Sequence, residues 1–329
     1  MARKIVSATF LMILMGVSFA MAAEDNYPSR TVEIMVQSAA GGGTDLQTRI
    51  LAEKAKQMLG QEFMVTNKSG GGRVVVTLIA KSKDDPYLLG AMTDSTISLA
   101  PHLEKINYDP FALTFFAQFG TLDFGVFVRP DSPFKTFKEL LDYAKANPGK
   151  LTMGITEVNS GNHLALLAVC KKENIKMSFV PFMGANPTTL ALLGGHVMAA
   201  SSASSGFARQ VKAKQVRLLC MMSDERVEEF PDVPTLVELG YPGFVFQSWY
   251  LMVGPKNMDR AAAKKLAETY RKGMESPEFK KLASDLVTYT SKPLFLDDLK
   301  KALQERHEFN RELVKSLGIK VVDQPPPTK

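Results

Sequence analysis

The chain has 329 residues, with 40 Lys and Arg against 34 Asp and Glu, and a formal net charge of +6. The basic residues are spread along the sequence and do not cluster with aromatic residues, which argues against nucleic-acid binding. A hydrophobic share of 45% is that of a globular protein and excludes an intrinsically disordered chain.

The N-terminus has the pattern of a cleavable secretory signal. Arg3 and Lys4 precede an apolar run over residues 5–21, and small residues around Ala22 offer a cleavage site. Polar residues interrupt this run, which is shorter than the roughly 20 apolar residues that span a bilayer. We therefore expect removal of residues 1–22, leaving a periplasmic chain of 307 residues with a net charge of +4.

The remaining chain exceeds the length at which a single hydrophobic core usually stops growing, so two lobes are predicted. Short apolar and β-branched runs alternate with helical patterns, which indicates an α/β fold of mainly parallel sheets covered by helices. The predicted strands cover residues 31–37, 63–66, 87–92, 151–155, 176–180 and 216–222.

A glycine-rich loop follows the first predicted strand and leads into an amphipathic helix. It reads Ser-Ala-Ala-Gly-Gly-Gly-Thr-Asp over residues 38–45. Glycines let a ligand approach the backbone closely, and Thr44 or Asp45 can cap a helix whose positive end favours an anion. The spacing matches neither a phosphate P-loop nor a dinucleotide fingerprint. The loop therefore fits either an anion site or a plain tight turn.

A second polar loop, over residues 154–163, leads into the apolar helix 164–169. Ligands of doubly wound sheets bind beyond the carboxyl ends of the strands, where both loops are expected to lie. If the loops belong to different lobes, the two helix ends would hold opposite ends of one small anion. The alternative is that Ser160 to His163 only cap a helix.

The cysteines and histidines indicate no metal site and no cofactor, because their spacing matches no common metal-binding pattern. An oxidising compartment would permit a disulfide between Cys170 and Cys220. Buried free thiols would suit their apolar surroundings as well.

A serine hydrolase that uses Ser160 or Ser202 with His163 is the rival from another functional class. The sequence has no Gly-x-Ser-x-Gly elbow, and its spacing indicates no carboxylate that would orient the histidine. We therefore predict no enzymatic activity.

Short motifs, in order along the chain, resemble the periplasmic receptors of tripartite tricarboxylate transporters, known as Bug-type binding proteins. They lie at residues 27–30, 41–45, 144–151, 180–182, 192–195, 231–235, 240–244 and 248–249. The resemblance implies a two-lobe Venus-flytrap fold. Residues 24–124 and 249–329 would form lobe I, residues 125–248 would form lobe II, and the hinge crossovers would lie near 120–124 and 246–249.

The resemblance also implies the residues that hold a ligand carboxylate. In lobe I they are Gly42, Gly43, Thr44, Asp45, Thr93, Asp94 and Ser95. In lobe II they are Thr156, Ser160, Asn162, His163, Gly184, Ala185 and Ser202. An ionised Asp45 would repel an anion, so we expect Asp45 to cap the helix instead.

Two departures from the family pattern bear on the ligand. Ser201 and Ser202 stand where many members carry an aromatic residue and an aspartate, so a ligand amine would lose its counter-charge and an amino-acid ligand is disfavoured. Arg73, in a loop one residue shorter than usual, either reaches a second ligand carboxylate or is solvated.

The resemblance implies a monomeric receptor that captures a small organic carboxylate between its lobes and delivers it to the membrane permease of a tripartite transporter. Neither a nucleic acid nor a cofactor is expected. A ligand sensor that signals to a two-component kinase is the alternative within the same fold.

Overall fold

The computed structural model describes residues 26–68, 70–82, 84–182, 184–244, 246–290 and 292–324. The predicted signal sequence at residues 1–22 lies outside this part of the chain.

Nine strands and eleven helices form the described part of the chain. The strands are β1 (Val32–Val36), β2 (Phe63–Asn67), β3 (Leu88–Thr93), β4 (Leu113–Val128), β5 (Thr152–Ile155), β6 (Ser178–Pro181), β7 (Ala199–Ala203), β8 (Arg217–Met221) and β9 (Gln247–Pro255). The helices are α1 (Gly43–Leu59), α2 (Gly71–Lys81), α3 (Ser95–Ser98), α4 (Ala100–Leu103), α5 (Phe137–Ala146), α6 (Gly161–Glu173), α7 (Ala185–Leu193), α8 (Ser204–Lys212), α9 (Arg260–Met274), α10 (Pro277–Leu286) and α11 (Leu296–Ser316).

The strands pair in the order β2-β1-β3-β9-β4-β7-β5-β6, with β8 also on β4. In the first half-sheet, formed by β1, β2, β3 and β9, β1 runs parallel to β2 and β3. In the second half-sheet, formed by β5, β6, β7 and β8, β5 runs parallel to β6 and β7. Helices pack on both half-sheets. The predicted α/β fold is confirmed; the strand pairs of β1 and β5 are parallel, whereas the pairs that involve β4 or β9 are antiparallel.

Strand β4 joins the two half-sheets. Its residues 113–123 pair antiparallel with β9, and its residues 124–128 pair with β7 and β8. Asp123 lies opposite Gln247, and Leu122 lies opposite Ser248. The two segments that the resemblance identifies as crossovers therefore lie side by side as paired strands.

Helix α1 shows why the sequence folds in this way. Its apolar residues Leu51, Ala52 and Ala55 are at most 4% exposed and pack in the same core cluster as Ile34 of β1. The helix ends at Gly60, whose φ of 72° is left-handed and suits a residue without a Cβ atom. Burial of an apolar face against a strand thus fixes where α1 lies.

Cys170 and Cys220 are both buried free thiols and form no disulfide with each other. None of the described helices has both the length and the apolar character needed to cross a lipid bilayer.

Candidate functional site

A cavity of about 710 Å³ is lined by residues that follow strands of both half-sheets. Part of the lining comes from the first turn of α2, from the end of β3 and from α3 and α4, and another part comes from the loop between β5 and α6. Leu122, Phe124, Phe246 and Ser248, at the junction of β4 and β9, also line it. A cavity of this size is within the range of about 300–1,000 Å³ that is typical of small-molecule sites.

The first turn of α2 approaches its neighbours too closely for any residue but glycine. A Cβ atom on Gly72 would lie 2.1 Å from Thr96 Oγ1 and 2.6 Å from Gln37 Oε1. Gly70 and Gly71 have φ angles of 102° and 74°, which glycine adopts without strain. These glycines therefore place the N-terminus of α2 directly at the cavity.

A hydrogen-bonded group of polar side chains lies next to this helix end. Gln37 Nε2 donates to Thr93 Oγ1 at 3.0 Å, and Thr93 N–H donates to Gln37 Oε1 at 3.0 Å. The Oγ atoms of Thr93 and Ser95 are 2.9 Å apart. Gln37 thus orients the Thr93 hydroxyl, which contacts that of Ser95 at the start of α3, and both residues line the cavity.

The loop between β5 and α6 is built around Asn162. Its amide oxygen accepts hydrogen bonds from Ser160 Oγ at 2.7 Å and from Thr156 Oγ1 at 3.1 Å, while its Nδ2 donates to the Ser201 carbonyl at 2.8 Å. Asn162 is fully buried, so it ties the loop to β7 and holds Ser160 at the cavity.

His163 also supports the loop between β5 and α6. Its Nδ1 accepts a hydrogen bond from the Asn159 N–H at 3.0 Å, and its ring packs edge-on to Phe179 at 4.7 Å. Burial lowers the pKa of His163 below its ordinary value. The described contacts of His163 orient the loop. None of them is with a serine hydroxyl, so they do not support the serine hydrolase interpretation.

The glycine-rich loop after β1 lies outside the described lining of this cavity. A Cβ atom on Gly43 would lie 2.7 Å from the hydroxyl of Tyr250, which is hydrogen-bonded to Thr44 and Ser205. Burial raises the pKa of Tyr250 to about 12, although both hydrogen bonds lower it. The start of α1 therefore packs against β9 and α8.

Asp45 has a different role from the predicted helix cap. The N-cap residue of α1 is Gly42, and the Asp45 carboxylate binds Arg49 at 2.9 Å, Asn67 at 2.9 Å and the Gly41 N–H at 2.8 Å. Burial alone would raise the pKa of Asp45, but these contacts outweigh it and hold the pKa below its ordinary value. The expected cap is corrected because Asp45 lies within the first turn and bridges α1 to the end of β2.

Asp94 is also bound by protein groups. Its carboxylate accepts hydrogen bonds from Ser248 Oγ at 2.6 Å, from Trp249 N–H at 2.8 Å and from Arg306 Nε at 2.9 Å. Only 1% of the residue is exposed. Asp94 thus joins the end of β3 to β9 and α11.

The remaining predicted contacts lie around the starts of α7 and α8. Ala185 packs so tightly on Gly206 that a Cβ atom there would lie 2.5 Å from the Ala185 Cβ, and Gly184 is the N-cap residue of α7. Ser202 is fully buried in β7, with its Oγ 3.5 Å from Thr189 Oγ1. Of the fourteen predicted contacts, Thr93, Ser95 and Ser160 line the described cavity.

The cavity also contains charged residues absent from the predicted set. Arg73 belongs to α2, and its Nη1 donates to Glu104 Oε2 at 2.5 Å. Glu157 is a second acidic lining residue. The run Gly70 to Arg73 was visible in the sequence, but its contact with Glu104 depends on the fold. Within the described chain, no three His, Cys, Asp or Glu residues are grouped to hold a metal ion.

Comparison with known proteins gives consistent results. A family model described as "Tripartite tricarboxylate transporter family receptor" matches residues 47–319. The UPF0065 protein in gbd 5'region of Cupriavidus necator is 34% identical over 298 residues, which cover 90% of this chain and 88% of that protein. Protein BugT of Bordetella pertussis is 29% identical over 262 residues, covering 76% and 80% of the two chains.

Solved structures share the fold. The periplasmic binding protein BugD has a TM-score of 0.78 at 26% identity, covering 91% of this chain and all of that one. A periplasmic transporter structure has a TM-score of 0.80 at 27% identity, covering 89% and 99%. The resemblance seen in the motifs is confirmed, and the chain belongs to the family of tripartite tricarboxylate transporter receptors.

Proposed function

We propose that this chain is a periplasmic receptor that captures a small organic carboxylate in the 710 Å³ cavity and delivers it to the membrane permease of a tripartite transporter. The observation that carries the proposal is that the N-termini of two helices, α2 and α6, both line one cavity. Helix N-termini present unpaired N–H groups and a positive dipole end, both of which favour an anion.

The neighbouring side chains suit a carboxylate. The hydroxyl groups of Thr93, Ser95 and Ser160 offer hydrogen bonds, and Arg73 adds a guanidinium that can bind a carboxylate through two parallel hydrogen bonds. We assign direct ligand contacts to these four residues and to Gly71 and Gly72. Thr156, Asn162, His163 and Asp94 position the walls, whereas Gly42 to Asp45, Gly184, Ala185 and Ser202 stabilise the packing around α1, α7 and α8.

Two structures of the same fold contain carboxylates. MatC from Rhodopseudomonas palustris was solved with malate, at a TM-score of 0.76 and 23% identity. Rpa4515 of R. palustris was solved with adipate, at a TM-score of 0.80 and 21% identity. At these identities the likeness establishes the fold, so the ligand class of this chain rests on its own cavity.

The proposed mechanism is closure of two lobes on the ligand. Lobe I comprises residues 24–124 and 249–329, and lobe II comprises residues 125–248, with the hinge at the paired segments of β4 and β9. A ligand that bridges the two helix N-termini binds the closed form more tightly and shifts the equilibrium toward it. The permease then recognises the closed monomer.

Calorimetric titration of carboxylates into the refolded chain, freed of co-purified ligand, tests the proposal. At least one carboxylate should bind and raise the melting temperature, since a ligand that binds only the native state stabilises it. Arg73→Gln should weaken binding by about tenfold or more, the effect of losing a charge-assisted hydrogen bond.

Arg271→Gln is the matched control for this titration, because Arg271 forms a similar pair with Glu268 on the exposed face of α9. It should leave ligand affinity unchanged. Absence of binding by every carboxylate, together with binding of a neutral or cationic compound, would contradict the proposed function.

A further inference from the structure

The charge balance of the cavity restricts how many carboxylates it can accept. Among the described lining residues, Arg73 is the one cationic side chain, and two acidic residues, Glu104 and Glu157, line the same cavity. The guanidinium is already paired with Glu104 at 2.5 Å. A ligand with a second or third carboxylate would place that charge near Glu104 or Glu157 without a further cation, and like charges at close range are unfavourable.

Another part of the lining is apolar and suits an apolar group. Leu122 and Phe124 from β4 and Phe246 before β9 are 6%, 9% and 4% exposed, and the Phe124 and Phe246 rings are 6.2 Å apart. Leu103 and Val158 add apolar surface from α4 and from the loop before α6. Such a surface gains free energy when an apolar ligand body displaces water from it.

We infer that the ligand is a monocarboxylic acid with an aryl or branched-alkyl body, which selects against di- and tricarboxylates. This inference rests on the proposed receptor function. The single carboxylate binds at the α2 and α6 N-termini beside Arg73, and the apolar body packs on Leu122, Phe124 and Phe246. Selectivity then comes both from favourable burial and from the repulsion that Glu104 and Glu157 impose on additional carboxylates.

Titration calorimetry on the refolded full chain with phenylacetate, 4-methylpentanoate, succinate and citrate tests the ligand class. At least one of the two monocarboxylates should bind about tenfold or more tightly than succinate and citrate. Tighter binding of succinate or citrate than of both monocarboxylates overturns the inference and leaves the receptor function intact. Failure of all four acids to bind also overturns the inference, whereas the receptor function is contradicted only by the broader titration described above, in which no carboxylate binds and a neutral or cationic compound does.

The Glu104→Gln variant tests the electrostatic contribution to this selectivity. Glu104→Gln removes one cavity carboxylate, so succinate should gain about tenfold in affinity relative to phenylacetate. Glu268→Gln, which removes the same charge from an Arg–Glu pair on α9, is the control and should change neither affinity. If Glu104→Gln leaves the ratio of the two affinities unchanged, the charge argument is wrong.

Val158→Asn tests the apolar wall without disturbing the core, because Val158 is 55% exposed in a loop. It should weaken binding of phenylacetate by about threefold or more and leave succinate unchanged. Equal effects on both acids would contradict an apolar subsite at this position.

Discussion

The ring of Phe246 lies directly on the backbone of Gly161. A Cβ atom on Gly161 would lie 1.8 Å from Phe246 Cδ1, far inside any van der Waals contact. Phe246 immediately precedes β9, and Gly161 is the first residue of α6. The segment that enters β9 therefore supports the N-terminus of α6 at the cavity wall.

Gly161→Ala should destabilise the protein by about 1–3 kcal/mol, since a methyl group forced into a packed site displaces its neighbours. Urea unfolding measures this change. Gly194→Ala is the control, because Gly194 is exposed, has a φ of −73° that alanine adopts readily, and would place its Cβ 3.1 Å from the exposed His196 ring, which can move aside. Adding Phe246→Leu to Gly161→Ala should recover part of the loss. Wild-type stability of Gly161→Ala would contradict the contact.

Six strands could be predicted from the sequence because each is a short apolar run bounded by turn residues. Strands β4, β7 and β9 were not predicted as strands. β7 reads Ala-Ala-Ser-Ser-Ala and has no β-branched or aromatic residue, so its pairing with β4 and β5 depends on tertiary packing. β4 covers 16 residues and serves both half-sheets, a length that local patterns do not reveal.

The candidate site was predicted in part. A polar loop before an apolar helix identified Ser160, and the end of a predicted strand, with the family resemblance, identified Thr93 and Ser95. The start of helix α2 was not predicted, because its first residues and its N-cap residue are glycines, which have no capping side chain. Glu104 and Phe246 reach the cavity through contacts distant in sequence, with Arg73 and Gly161 respectively, which no local pattern encodes.

Gln324 should stabilise the segment that carries Glu104. Its Nε2 donates to the carbonyls of Pro101 and Glu104, and its Oε1 accepts from Ile106 N–H. Gln324→Ala should cost about 1.5–4.5 kcal/mol, from three bonds worth about 0.5–1.5 kcal/mol each, and should speed amide hydrogen exchange at Ile106.

The control for Gln324 is Gln57→Ala, which removes an exposed glutamine whose Nε2 donates to Glu53 one turn earlier in α1. It should leave both stability and exchange at Ile106 unchanged. Unaltered exchange at Ile106 in Gln324→Ala would show that Gln324 does not hold this segment.

His102 should make the protein less stable as the pH falls. It is buried beside His307, whose carbonyl oxygen is 2.8 Å from His102 Nε2. Burial, and secondarily His307, lowers the pKa of His102 to about 4 from an ordinary 6.5. The unfolded chain therefore binds more protons between these values, so the unfolding free energy should fall by about 1.4 kcal/mol per pH unit from this group.

His102→Gln should remove this dependence, while the amide can still donate to the His307 carbonyl. Urea unfolding at about pH 7 and about pH 4.5 should show a smaller loss of stability in His102→Gln than in the wild type. The exposed His196→Gln is the control and should follow the wild type. A loss in His102→Gln as large as in the wild type would contradict the assignment.

Asp123 should have the opposite effect in an overlapping pH range. Burial raises its pKa from 3.8 to about 6, and Glu229 and Asp224 add to the shift, although the hydrogen bond from Gln247 Nε2, at 2.5 Å, lowers it. The folded chain therefore binds the proton more tightly than the unfolded chain does. Stability from this group is full below about pH 4 and is lost as the pH rises through about 6, by on the order of 3 kcal/mol.

Asp123→Asn should thus stabilise the protein at about pH 8 by up to about 3 kcal/mol and leave it nearly unchanged at about pH 4, where the wild-type carboxyl is already neutral. The asparagine oxygen can still accept from Gln247, so the β4–β9 pair is retained. Asp142→Asn, at an exposed pair with Lys138, should change stability little at either pH. Equal stability of Asp123→Asn and the wild type at high pH would mean that the ionised carboxylate reaches solvent, as it would if the β4–β9 crossover opened readily.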